Sequence, residues 1–200
     1  GRKAGHLAFG IGKAAGATLT LIPEEFGDGP VRMKTLVDTL VGAIVKRLSA
    51  DRSDGVAVIA EGVVLDIDPR DLRAIEEAER DEHGHIRIDE VNIGEILKLE
   101  VQKALRKLGI SETIVSKRIG YELRCADPVP QDMDYTRDLG YCAAKYLIEG
   151  GTDVMITMQG GRFVPIPFGE MLDPKTGRTR VRFVDINSTR YAIARRYMIR

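Results

Sequence analysis

The sequence predicts an α/β fold, layered around a mainly parallel sheet. Segments with apolar residues at helical spacing alternate with short runs that are apolar throughout, and Gly and Pro punctuate the joins. A run that is apolar throughout suits a parallel strand covered on both faces, whereas a one-sided strand would alternate.

Lys3 to Gly16 is rich in Ala and Gly, with Leu7, Ile11 and Ala14 or Ala15 on one side, and reads as a helix packed closely on its neighbours. Thr18 to Ile22 is a buried strand stopped by Pro23. Met33, Leu36, Val37, Leu40, Val41, Ile44, Val45 and Leu48 recur at helical spacing. Gly55 precedes Val56 to Ala60, a run of the two-sided parallel type. Asp68-Pro69 opens a polar helix, with Asp as N-cap and Pro in the first turn. Ile93 to Leu108 forms a second amphipathic helix, closed by Gly109. Glu112 to Lys117 reads as a strand, Asp132 to Ile148 as a helix ended by Gly150-Gly151, and Val154 to Met158 as another buried strand. Phe163 to Ile166 adds a short strand, and Ser188 to Met198 a closing helix. With no internal repeat, low-complexity stretch or long linker, the chain reads as one unit.

Composition narrows the function class. The 200 residues are 44% hydrophobic and 30% charged, as in an ordinary globular protein. Lys plus Arg number 30 and Asp plus Glu number 30, so net charge argues for neither nucleic acid nor an acidic membrane as partner. No apolar run approaches the roughly 20 residues that span a bilayer. The chain starts at Gly1 without an initiator Met and shows no signal peptide. Two cysteines are too few for a disulfide framework, which points to a reducing cytoplasm, with Cys142 as a buried thiol.

Several motifs fail on spacing. Gly10-Ile11-Gly12-Lys13-Ala14-Ala15-Gly16 lacks the preceding strand and the glycine offsets of a dinucleotide loop; its glycines fit close helix packing. A phosphate-binding P-loop fails because Leu7 stands where a Gly is required. His83 and His85 sit in a charged turn, and no Cys pair has zinc spacing, so no metal site is expected.

Four segments in order resemble the phosphofructokinase family. They are Gly1-Arg2-Lys3-Ala4-Gly5-His6-Leu7-Ala8, Ile22-Pro23-Glu24-Glu25, Ile59-Ala60-Glu61-Gly62 and Gly120-Tyr121-Glu122-Leu123-Arg124. The stretch Cys125 to Gly140, then Met158-Gln159-Gly160-Gly161 and Pro165-Ile166-Pro167, is similar to the pyrophosphate-dependent branch. The resemblance implies a Rossmann-like, phosphofructokinase-type lobe. Residues 1–200 would be the fructose-6-phosphate-binding portion, without the N-terminal donor-binding and catalytic-base segments: neither a Gly-Gly-Asp loop nor a Thr-Ile-Asp-x-Asp string occurs.

By the same resemblance, Gly1 and Arg2 would bind fructose 6-phosphate, with Arg2 also stabilising charge on the transferring phosphoryl group. Glu61 would accept from a sugar hydroxyl, and Tyr121 and Arg124 would hold the 6-phosphate. The residue types suit these tasks: guanidinium gives two parallel donors to phosphate, Tyr gives one, and a carboxylate only accepts. A further phosphate-binding Arg of many ATP-dependent relatives is Asp132 or Met133 here, leaving Arg137, Arg118 and Lys117 as basic candidates. The family reading implies pyrophosphate or ATP as donor, Mg²⁺ carried mainly by the donor and the other lobe, and a cytoplasmic homo-oligomer. Alone, this stretch would be inactive. A catalytically silent sugar-phosphate-binding or regulatory subunit is the alternative. Lipid and NAD kinases of related fold lack the Gly-Tyr-x-x-Arg arrangement.

Overall fold

The computed structural model describes residues 3–27, 29–71 and 92–200. Two compact units divide the chain: Gly1–Arg118 with Arg182–Arg200, and Ile119–Val181.

Unit 1 holds the parallel pair. Strand β1 (Leu19–Leu21) is joined through helix α2 (Met33–Leu48) to β2 (Ala57–Ile59), with Leu19, Thr20 and Leu21 opposite Ala57, Val58 and Ile59. Helix α1 (His6–Ala14) packs on both strands, and α2 packs on α4 (Ile93–Lys107); the short α3 (Val63–Asp66) follows β2. Leu19, Leu21, Ile22, Leu36, Val63, Leu97 and Leu105 form the centre of the core, so both long amphipathic patterns bury the faces their spacing assigns. Asn92 caps α4 by accepting from the Glu95 N–H, and Gly109, at φ 72°, ends it.

The glycines of α1 do what close packing requires. A Cβ on Gly12 would lie 2.0 Å from Thr20 Oγ1, whereas one on Gly10 would meet nothing within 4 Å. Phe9 stacks on Tyr191 of α7 (Thr189–Tyr197), with centroids 5.7 Å apart. Ser188 caps α7 by accepting from the Tyr191 N–H at 3.2 Å.

The other edge of β1 is also covered. Leu19 N and Leu21 O bond toward β2, so the Thr18 and Thr20 carbonyls face away from it. Ile199 N–H donates to Thr18 O at 2.8 Å, and the Arg200 guanidinium to Thr20 O at 2.7 Å. Residues from the far end of the sequence therefore protect this strand.

Where α2 begins, no side chain of its own caps it; Asp71 does so instead, accepting from Met33 N–H at 2.9 Å and from Arg32. Asp68, nearly buried, accepts from the Arg70 N–H and guanidinium. The Arg70 hydrogen bonds pull its carboxyl down from 3.8 to about 2. Below the ordinary carboxylate range the unfolded chain binds this proton first, so the stability contributed by Asp68 is full above about pH 4 and is lost as pH falls through about 2. Asp71 is lowered as well, chiefly by Arg32, and acts in the same direction. Melting temperatures recorded over roughly pH 2 to 5 should rise less steeply for Asp68→Asn than for the parent; identical slopes would remove Asp68 from the acid response.

Unit 2 contains α5 (Tyr121–Arg124), α6 (Pro130–Ile148) and an antiparallel hairpin, β3 (Val154–Gln159) with β4 (Arg162–Pro167). Gly160 and Gly161, at φ 57° and 75°, make the two-residue turn that needs positive φ at both centres. Asp132 accepts from the Val129 N–H at 3.1 Å, and Pro130 occupies the first turn of α6.

Five expectations need correction. Glu112 to Lys117 forms no strand: it has no ladder partner among the described residues, although its exposure alternates with period two. Val56 and Ala57 are exposed, so β2 is not covered on both faces. Val154 to Met158 is half-buried to exposed rather than a buried strand, as one arm of an antiparallel hairpin turned by the glycine pair after β3. Cys142 is half-buried, its Sγ 3.9 Å from Met158 Sδ. Asp68-Pro69 starts only a 3₁₀ turn, Pro69–Asp71, within the described residues; the rest of that expected helix, and His83 and His85, lie outside them. No helix among the described residues is long and apolar enough to cross a membrane.

Candidate substrate-binding site

Glu61 lies two residues beyond β2, in the tight turn that leads into α3. Ala60 N–H bonds Leu21 O, and Val64 N–H bonds Glu61 O, so the main chain around this carboxylate is pinned to β1 on one side and α3 on the other. Its residue is half-buried. That is the carboxyl end of a parallel strand, where open α/β sheets present ligand-binding groups.

Tyr121 and Arg124 are the first and last residues of α5 in unit 2. Three positions apart on one helical turn, they share a face. The turn is fixed by Cys125 N–H to Tyr121 O at 2.9 Å and Arg124 N–H to Gly120 O at 3.3 Å, while Glu122 accepts from the Gly120 N–H. Tyr121 is 82% exposed and Arg124 is exposed, and neither side chain has a hydrogen bond or ion pair among the described residues. A phenol and a guanidinium on one face form a small, donor-rich platform suited to a dianionic oxyanion. Arg137, on α6, is also exposed and belongs to the same unit.

Gly1 and Arg2 lie outside the described residues. The segment after them is held firmly: Gly5 N–H donates to Glu24 Oε1 at 2.9 Å, and Val184 N–H donates to the same oxygen at 2.9 Å. Glu24 thus ties the start of α1 to the segment before α7. Burial, and then the neighbouring charge of Glu24, push the Asp66 carboxyl upward. Beside it, buried Glu25 accepts from Tyr191 Oη and from Arg200. Burial, followed by Glu25, raises the Tyr191 phenol. In the sequence, Glu24-Glu25 serves only as a family marker. Two carboxylates directly after a fully buried strand are the available sign that both are partnered inside.

No family model matches the chain. Among characterised proteins it is 48% identical, over its whole length, to pyrophosphate--fructose 6-phosphate 1-phosphotransferase of Thermotoga maritima, covering 49% of that protein. It is 42% identical, again over its whole length, to the protein of the same name from Naegleria fowleri, covering 48% of it. An ATP-dependent 6-phosphofructokinase of Propionibacterium freudenreichii is 25% identical over 86% of the chain. The chain spans about half the length of the Thermotoga and Naegleria relatives.

Proposed function

Because the chain is, along all of its length, sequence of the phosphofructokinase family, we propose that it is part of an enzyme that transfers a phosphoryl group from pyrophosphate to the 1-hydroxyl of fructose 6-phosphate. The observation that carries this reading is the 48% identity over the whole length of the chain. The 25% identical relative names ATP as its donor; the relatives at 48% and 42% name pyrophosphate, which favours pyrophosphate here.

In this reading the chain holds the sugar phosphate. Arg124 and Tyr121 donate to the 6-phosphate, Arg124 through two parallel N–H groups. Glu61 accepts from a sugar hydroxyl and so selects the sugar rather than its charge. By the family resemblance, Gly1 and Arg2 complete the contact, and Arg2 takes up negative charge as the phosphoryl group transfers in line. Mg²⁺ would shield the donor's charge in such a reaction. Among the described residues no three His, Cys, Asp or Glu side chains are grouped to hold a metal ion, so none of these residue roles runs through it. A cytoplasmic homo-oligomer fits the two free cysteines and the family.

The test places this chain in the frame of the Thermotoga maritima relative, in exchange for the aligned stretch, and titrates fructose 6-phosphate calorimetrically. Arg124→Ala should weaken binding about 10- to 100-fold, the scale of a lost hydrogen bond to a charged group, and leave pyrophosphate binding unchanged. Equal affinity of parent and variant for the sugar phosphate would remove Arg124 from the site.

A further inference from the structure

Tyr121 and Arg124 can act on one ligand only while α5 keeps its shape, and packing does not keep it. The helix is four residues long and buries none of them. Tyr121, Glu122, Leu123 and Arg124 are all exposed. A single helical turn also fixes many dihedrals for few hydrogen bonds, which makes such a nucleus unfavourable by itself.

The turn is braced at Gly120, on both sides of that residue. Its carbonyl accepts from the Arg124 N–H at 3.3 Å, a long bond. Its N–H donates to Glu122 Oε2 at 3.2 Å. Gly120 has no side chain with which to cap the helix. The Glu122 carboxylate supplies the missing acceptor by reaching back across the residue that carries the phenol. We infer that Glu122 is a positioning residue for the sugar-phosphate platform: through the Gly120 N–H it holds the turn that puts Tyr121 and Arg124 on one face. The inference rests on reading that pair as the contact to the 6-phosphate.

Electrostatics alone makes the opposite prediction. A carboxylate two residues from a phosphate-binding guanidinium repels the dianion, so as a bare charge Glu122 would weaken binding and its removal would tighten it. Glutamine keeps an acceptor oxygen and drops the charge, whereas alanine drops both. A positioning role therefore separates the two variants. A bare charge does not.

The test sets the chain in the Thermotoga maritima frame and compares the parent with Glu122→Ala and Glu122→Gln. Alanine should raise KM for fructose 6-phosphate about 3- to 10-fold, the scale of one modest hydrogen bond, with kcat and KM for pyrophosphate unchanged. Glutamine should return KM to the parent value or below it. Without substrate, amide order parameters of residues 120–124 should fall in the alanine variant and recover in the glutamine variant. Equal KM changes in the two variants, or a KM for the alanine variant at or below the parent, would overturn the inference. Order parameters identical in all three proteins would do the same. Order parameters that respond as expected, in a frame where Arg124→Ala leaves sugar-phosphate binding untouched, would leave Glu122 bracing the turn and sink the functional reading alone.

Discussion

Arg200→Ala should cost about 3–5 kcal/mol of stability, measured as the shift in denaturation free energy. Arg200 is the cationic partner of Glu25, whose side chain is only 5% exposed. Removing the guanidinium leaves a buried carboxylate with Tyr191 as its remaining donor, and it also withdraws the donor to Thr20 O. A buried charge left half-compensated is far more costly than the pair was worth, so replacing both partners should hurt less. Glu25→Leu combined with Arg200→Met is the check: the double variant should be more stable than Arg200→Ala alone. A loss below about 1 kcal/mol for the single variant would reclassify the contact as an ordinary surface pair.

Gly5→Ala should destabilise by about 3 kcal/mol, the upper end of the usual range for overpacking. The added Cβ would lie 2.4 Å from Ile22 Cβ and 2.7 Å from Glu24 Oε2. Ile22 is fully buried beside the core strand, and its Cβ cannot swing aside as a side-chain tip can. Trimming Ile22 to Ala therefore should not restore stability, since the nearest obstructing atom would remain. Gly10→Ala in the same helix is the control. Its Cβ meets nothing, and the better helix propensity of alanine should leave it neutral or raise stability by up to about 1 kcal/mol. Equal behaviour of the two variants in thermal melts would show that α1 is not seated against Ile22.

Local pattern made much of this fold legible. The apolar spacing of Met33 to Leu48 and of Ile93 to Leu108 located α2 and α4 within a residue or so, because a helix facing a core must repeat its apolar face. Pro23 ended β1's run for an equally local reason. What periodicity does not carry is the identity of a partner. The run Glu112 to Lys117 reads locally as a strand but names no neighbouring strand, and none pairs with it among the described residues. Nor does any local signal say that Ile199 and Arg200 close the edge of a strand some 180 positions earlier. The candidate site divides the same way. Tyr121 and Arg124 share a turn because residues 121–124 form α5, a helix that the sequence reading does not assign; Gly1 and Arg2 fall outside the described residues, and their part in the site rests on resemblance.

The discontinuity of unit 1 has a kinetic side. Its fold joins segments from both ends of the sequence: Glu24 bonds Val184 across 160 positions, and Arg200 bonds Thr20 across 180. The Gly160-Gly161 hairpin, by contrast, closes on itself within microseconds once its residues are available. During synthesis β1 must wait, with one flank bare, until residues 182–200 have left the ribosome. At roughly 5–20 residues per second that interval is on the order of ten seconds or more, a period in which one flank of β1 is open to pairing with another strand.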